Sequence, residues 1–372
     1  MEKQIERQRE AEPVEIIRHH EEIQLKQKAE DKRLESLPRV LKYQDIPWTL
    51  SANACCKRYT GVTPSALDQR LLNLPLYSLS LLEQVLVPGG KNGGHRHFNE
   101  AIFYILEGEG FEIHDGIRYE WEAGDLMCVP TYCVHQHFNR SGEKSARLFF
   151  SVPIVFEMLG ISRVEQVGLH PDYEIPAGAA ITRNERGEMV GYKVEGGLEL
   201  KLSADLLHLQ KVEDKKALAQ MTAKPGNKYD QFLNTLGEET RWRQSVPHII
   251  KGKEIPFENT RMGKIKYLLS PYAPSPLLLY DCFIQEIPPG GRSGKHRHLS
   301  EEVHKILSGR GYDIQNGKRY DWGEEDVVAI PINTVHQHFN ADPRHPTTFV
   351  SFQSRLYTYL GHGGFEHLED AS

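Results

Sequence analysis

Between residues 79 and 152 the apolar positions fall into short runs, Leu79 to Val87, Ala101 to Leu106, Leu126 to Val129 and Arg147 to Val152, parted by Gly, Asn and Asp. Apolar runs this short, punctuated by turn residues, predict β-strands. Several in succession predict a barrel or sandwich. Residues 1–37 read differently: Glu, Lys, Arg and Gln dominate, with sparse apolar positions at Ile5, Val14, Ile16, Ile17, Ile23 and Leu25, the pattern of a solvated amphipathic helical arm. Residues 154–246 mix helix-like stretches such as Ser203 to Met221 with polar turns at Asn184 to Gly187 and Pro225 to Lys228, and are expected to form a connector with helices.

The strand pattern occurs twice. GGKNGGHRH at 89–97 meets GGRSGKHRH at 290–298, GIRYEW at 116–121 meets GKRYDW at 317–322, and VHQHFN at 134–139 recurs unchanged at 335–340, each 201 residues on. Upstream, PRVLKYQDIPW (38–48) resembles PHIIKGKEIPF (247–257) at a shift of 209. A repeat of this kind decides the architecture before local detail does. The fold class expected is mainly β, two tandem β-barrel modules at 38–153 and 247–356, with the arm at 1–37, the connector at 154–246 and a tail at 357–372.

Each module carries a histidine constellation. Residues i and i+2 of a strand share a face, so His95 and His97 converge on one point, as do His296 and His298. A third imidazole arrives from another strand, His135 in the first module and His336 in the second, each 38 residues past the second histidine of its pair. Three neutral imidazoles hold a first-row divalent metal and leave coordination positions open. Hydrogen-bonded structural histidines are the plain alternative for one such residue; two matching sets in repeated modules favour metal.

Composition narrows the context. Over 372 residues, 39% apolar and 26% charged with a formal net charge of −6 describe an ordinary globular protein, without the basic excess of a nucleic-acid binder. No apolar stretch reaches the ~20 residues of a membrane-spanning helix, and Met1 is followed by Glu2, Lys3 and Gln4, not by a signal-peptide core, so a cytoplasmic location is expected. The five cysteines form no C-x-x-C spacing, which fits a reducing compartment. Cys133 stands near His135, but its counterpart is Thr334, which argues against a ligand role.

These residues resemble the cupin superfamily, whose first motif has the form G-x5-H-x-H-x(3,4)-E-x6-G and whose second has G-x5-P-x-G-x2-H-x3-N. The first module offers Gly89, His95, His97 and Gly108, then Gly124, Pro130, His135 and Asn139; the second offers Gly290, His296, His298, Glu302 and Gly309, then Pro331, His336 and Asn340. The resemblance covers about 220 residues and implies a jelly-roll barrel in each half. Cupins usually place a carboxylate ligand after the histidine pair. Glu302 stands there in the second module, on the parity of His296 and His298, whereas the first has Ala101. The resemblance thus implies a three-histidine site and a three-histidine, one-glutamate site. Glu100 and Glu301 have the opposite parity and are expected to point outward or to hydrogen-bond; Arg96 and Arg297 face away from the metal, toward salt bridges. Glu325 replaces Gly124 at the second module's turn.

The layout of HRHFNEAIFYILEG (95–108) resembles the gentisate-type extradiol dioxygenases, bicupins with an H-x-H plus His iron site in the N-terminal cupin and no glutamate there. That resemblance implies an Fe(II) enzyme that opens a hydroxylated aromatic ring, gentisate-, hydroquinone- or aminophenol-like, with dioxygen. Imidazole donors also suit manganese, nickel, zinc and copper. Where those enzymes carry an arginine near the end of the motif, this chain has Phe103 and Tyr104, which puts gentisate itself in question. His137, two residues past His135, is a candidate for proton transfer or substrate contact, and Tyr104, Phe138 and Trp121 are candidates for the substrate wall. Other readings stay open: a manganese decarboxylase, isomerase or quercetinase-like enzyme working from the second module, or a non-enzymatic binder of a small molecule. A homo-oligomer is expected, because cupins often pair through barrel edges.

Overall fold

The strand Leu126–Val129 is buried at every position, which a sheet with a core on each face demands. Its alternate side chains divide between two clusters. Met127 and Val129 enter the first barrel's own core with Leu86, Trp121 and Leu148. Leu126 and Cys128 enter a core shared by both halves, with Tyr280, Val327, Ala329 and Phe352. In the second half Val328 and Ile330 fill the equivalent private core with Trp322 and Phe349.

The computed structural model describes residues 18–60, 74–158, 164–197, 199–202, 227–270, 275–360 and 364–372. Each half has a seven-stranded and a five-stranded antiparallel sheet. Those of the first half run in the orders Ile249–Ile250, Leu126–Val129, Ala101–Glu107, Ala146–Pro153, Leu79–Leu86, Cys55–Arg58, Trp48–Leu50, and Val164–Gln166, His95–His97, His135–Asn139, Glu109–His114, Ile117–Glu122. The four apolar runs singled out in the sequence are all strands, at Leu79–Leu86, Ala101–Glu107, Leu126–Val129 and Ala146–Pro153. His19–Ser36 is a helix with no buried residue, in the span expected for the arm. Residues 1–17 and the helix-like stretch Ser203 to Met221 lie outside the described residues.

Strand pairing crosses the boundaries that the repeat suggested. Val40–Leu41 pairs with Val327 and Val328 of the second half, and Ile249–Ile250 pairs with Leu126 and Met127 of the first. Each exchange is pinned in the same way: Lys42 Nζ meets Asp326 Oδ2 at 2.6 Å, and Lys251 Nζ meets Asp125 Oδ2 at 2.6 Å. The connector supplies Val164–Gln166 beside His95–His97, and the tail supplies Phe365–Glu369 beside Lys295–His298. Arg96 and Arg297 bind Glu165 and Glu366 on these closing strands.

Glu100 and Glu301 are buried and hydrogen-bonded, not outward. Glu100 accepts from the main-chain N–H of Leu278 (2.9 Å) and Leu279, and Glu301 accepts from those of Tyr77 (2.6 Å) and Ser78 (2.7 Å). Each carboxylate thus ties its barrel to the other. Glu325 adopts the left-handed conformation (φ 71°) that Gly124 adopts at φ 89°. Such a backbone is costly for a residue with a Cβ, and ion pairs with Arg147 and Lys305, each at 2.7 Å, offset the cost.

That ion cluster joins the halves. Lys305 and Glu83 are both fully buried and lie 3.0 Å apart, and Arg147 Nη2 meets Glu83 at 2.6 Å. Removing one member of a buried pair strands the others' charge. Glu83→Leu is expected to lower stability by about 3–5 kcal/mol in urea denaturation, and Glu83→Leu with Lys305→Met by less than the sum of the two single losses.

Candidate metal centres

A histidine presents a metal with one nitrogen, and the other decides which way the ring faces. In the first barrel, Nδ1 of His95, His97 and His135 lies 3.0, 2.6 and 2.9 Å from the main-chain oxygens of Gly93, Asn99 and Cys133. In the second, Nδ1 of His296, His298 and His336 meets Gly294, Ser300 and Thr334 at 3.3, 2.8 and 2.8 Å. An Nδ1–H donating to a carbonyl fixes Nε2 as the lone-pair nitrogen, turned to the centre of each set. The triads are nearly superimposable: ring centroids are 5.4, 4.3 and 4.9 Å apart in the first and 5.3, 4.1 and 5.0 Å in the second.

Both sets fit a divalent cation. The donor atoms of His95, His97 and His135, and those of His296, His298, Glu302 and His336, lie within 4.8 Å of one another. His135 Nε2 and His336 Nε2 are buried without a hydrogen-bond partner, an arrangement costly for a polar atom unless something else binds there. Burial pushes the imidazoles toward the neutral, ligating form: His97 to about 4, His296 to about 3, and His95, His135 and His336 well below their ordinary value. Burial also opposes ionisation of Glu302, yet the neighbouring imidazoles of His298 and His304 hold its carboxyl well below the usual range. A third cluster, His304, Asp313 and His338, is close enough to ligate but is engaged in hydrogen bonds: Asp313 Oδ1 accepts from Trp322 Nε1 at 2.8 Å and meets His338 Nδ1 at 2.9 Å, and His304 Nε2 meets Glu302 Oε1 at 2.8 Å.

The two triads open into different cavities. The first, of about 220 Å³, has apolar walls of Leu82, Phe103, Phe150 and Val152, with Arg58 also lining it. Four of its amide side chains hold a buried polar atom without a partner: Asn53 Oδ1, Gln84 Nε2, Asn92 Nδ2 and Asn99 Oδ1. The second, of about 170 Å³, is lined by Tyr267, Asp281, Gln353 and Glu302, and among the described residues no Arg or Lys lines it. There Gln285, the counterpart of Gln84, has its Nε2 engaged by Met262 O at 2.7 Å.

The model of the Cupin domain matches residues 82–152 and 283–352, once in each half. The chain is a bicupin. It is 21% identical over 298 residues, 79% of its length and 67% of the relative's, to 1-hydroxy-2-naphthoate 1,2-dioxygenase of Nocardioides sp.. Matches to other curated dioxygenases are shorter and span 22% to 62% of those proteins' lengths. Among solved structures, salicylate 1,2-dioxygenase from Pseudoaminobacter salicylatoxidans shares the fold at a TM-score of 0.55 and 14% identity, over 96% of each chain. Oxalate decarboxylase from Bacillus subtilis does so at 0.56 and 14% identity, over 89% of this chain and 80% of that one. The fold alone therefore does not choose between these chemistries.

Of the wall candidates in this bicupin, His137 alone lines the first cavity. Tyr104 lies in the core shared by the halves, since strand alternation gives the cavity face to Ala101 and Phe103. Trp121 is fully buried in the first barrel's core, and Phe138 stacks on Phe111 at 4.6 Å on the face opposite His135 and His137. His137 Nδ1 is bound to Glu112, whose Oε1 lies 3.1 Å from His114 Nε2; His114 Nδ1 in turn lies 2.7 Å from His248 Nδ1. Burial pushes His137 down to about 3 and Glu112 up to about 7. His248 reaches this chain on the exchanged segment of the second half. Nothing in the repeat points to Arg58 or Asn53 as cavity residues, because the strand Cys55–Arg58 and the turn before it lie outside the matching blocks; Gln84 and Gln285 do share the 201-residue shift.

Elemental analysis of protein loaded anaerobically should find two metal ions per chain. His135→Ala and His336→Ala should each leave one.

Proposed function

We propose that this bicupin is an Fe(II)-dependent dioxygenase that opens a hydroxylated aromatic ring at the first centre. The observation that carries the reading is the convergence there of three imidazoles without a carboxylate on a cavity with phenylalanine walls, unpartnered amides and an arginine. Its relatedness to a 1-hydroxy-2-naphthoate dioxygenase supports it. An ion held by three neutral donors keeps its full charge for an anionic ligand and, if octahedral, three open positions.

His95, His97 and His135 would hold the iron. When bound, it supplies Lewis acidity toward paired ring oxygens and electrons to dioxygen. The protein's part is placement. Phe103 and Phe150, stacked on each other, make one wall apolar. Arg58, a fixed positive charge, attracts a carboxylate on the ring, and the free amide groups of Asn53, Gln84 and Asn92 offer hydrogen bonds to its oxygens. His137, with Nδ1 taken by Glu112, has Nε2 left to meet the substrate or carry a proton. This reading favours a carboxylated, hydroquinone- or aminophenol-like ring over an uncharged one.

A second reading, a manganese enzyme of decarboxylase type working from the second centre, draws support from the Glu302 donor and from the fold shared with oxalate decarboxylase. The lining of that cavity speaks against it for an acidic substrate: Glu302 and Asp281 stand there, Asp281 already paired with Arg355 at 3.8 Å, and no Arg or Lys among the described residues lines it to receive a second carboxylate.

Oxygen uptake with a panel of hydroxylated aromatic acids, after anaerobic Fe(II) loading, tests the choice. His135→Ala should abolish uptake while Glu302→Ala spares much of it; the reverse, or manganese-dependent gas release from an organic acid, would move the reaction to the second centre. Arg58→Ala should raise KM for carboxylated substrates by roughly tenfold with a smaller change in kcat, the signature of lost uniform binding.

A further inference from the structure

The donor sets differ at Glu302, and two further exchanges sit beside it. His304 follows Glu302 by two on the same strand, and Ser351 is the register partner of His304 on the next. His304 Nε2 at 2.8 Å and Ser351 Oγ at 2.5 Å both meet Glu302 Oε1. The other oxygen, Oε2, faces the imidazoles, 2.9 Å from His298 Nε2 and 4.0 Å from His336 Nε2. The His304 ring is itself held, stacked on Phe349 with centroids 4.1 Å apart.

At the positions 201 residues earlier the first barrel has Ala101, Phe103 and Phe150. Phe103 and Phe150 are register partners in the same way, and their rings stack at 4.5 Å. Neither of these two positions offers a donor to a carboxylate oxygen. A glutamate introduced at position 101 alone would bury one oxygen against two benzene rings, at the full cost of an unpaired charge-bearing atom. The three positions therefore change together: carboxylate with two donors, or methyl with two rings.

We propose that His304, assisted by Ser351, is a positioning residue that fixes Glu302 as a single-oxygen donor to the second centre's metal. Two donors on Oε1 stop the carboxylate from rotating and leave only Oε2 for the ion. Phe103 and Phe150 exclude this arrangement in the first barrel and give that space to the ligand. The inference rests on the second set holding a divalent cation; it does not depend on the reaction assigned to the first.

The test uses full-length His135→Ala protein, in which only the second set is complete, stripped of metal and titrated with manganese(II) chloride. Free manganese is read by its electron paramagnetic resonance signal, and heats of binding by calorimetry. His304→Phe should weaken binding by roughly 10–100-fold, the range for partners of metal ligands. His304→Gln, which keeps an N–H donor, should restore most of it. The deciding measurement is the cycle with Glu302→Ala: a residue acting through Glu302 has nothing more to lose once Glu302 is gone. Ser351→Ala carries the same expectation at smaller size and stands in should His304→Phe fail to fold. Unchanged affinity in both variants, an equal loss with and without Glu302, or no manganese binding by the His135→Ala protein would each overturn the proposal. Turnover enters none of these readouts, so their failure is distinguishable from failure of the dioxygenase reading.

Discussion

The structure depends on six imidazoles being held and aimed in the buried interior of two barrels. Each is anchored by an Nδ1 contact with a main-chain oxygen, five of them within 3.0 Å and His296 at 3.3 Å. Burial suppresses protonation of His95, His97, His135, His296 and His336, and at each of the six rings the carbonyl selects the tautomer, so the lone pairs turn to one point. The alternation of the strand His95–His97, with Arg96 turned to its own salt bridge, is the local form of the same constraint. A helix would place residues i and i+2 on different faces and lose the site.

Duplication supplied two such frames, and a few side chains made them unlike. The triads agree to within 0.2 Å in their ring separations, so the differences lie in what surrounds them. Around the first, Arg58, the Phe103–Phe150 pair and unpartnered amides make a cavity suited to an anionic ring. Around the second, Glu302, Asp281 and Tyr267 make a smaller one that no Arg or Lys among the described residues lines. Two centres of common descent thus present different faces to a ligand, while the ion pairs of Lys305, Glu83, Arg147 and Glu325 lock the halves together.

How much of this was legible in the sequence varied with range. The repeat and the period-2 spacing of His95 and His97 carried the barrels and both donor sets, since a ligand pair on one strand is a local pattern and a repeat doubles its weight. Glu302 against Ala101 was readable for the same reason. Tyr104 was not: its neighbour Phe103 has the cavity parity, but choosing between them requires knowing that the sheet has a second core behind it. Arg58 reaches the cavity through pairing of Cys55–Arg58 with Leu79–Leu86, where it stands opposite Leu82, a contact between separate stretches that no local spacing encodes. The closing strands left a faint trace, Glu165 and Glu366 at the common 201-residue interval, too sparse to be recognised without their arginine partners in view.

The exchange of opening strands makes the two halves inseparable in a way the repeat alone does not convey. Ile249 and Ile250 complete the sheet behind the first triad, and His248, beside them, ends the histidine–glutamate chain that supports His137. A cut through the connector would therefore not yield two smaller barrels. Each fragment would carry away an edge that belongs to its sibling, exposing a raw sheet margin and, on the first barrel, leaving His114 without its imidazole neighbour. What began as a tandem copy has become a single obligate unit, in which neither centre can be inherited, shuffled or trimmed without the other.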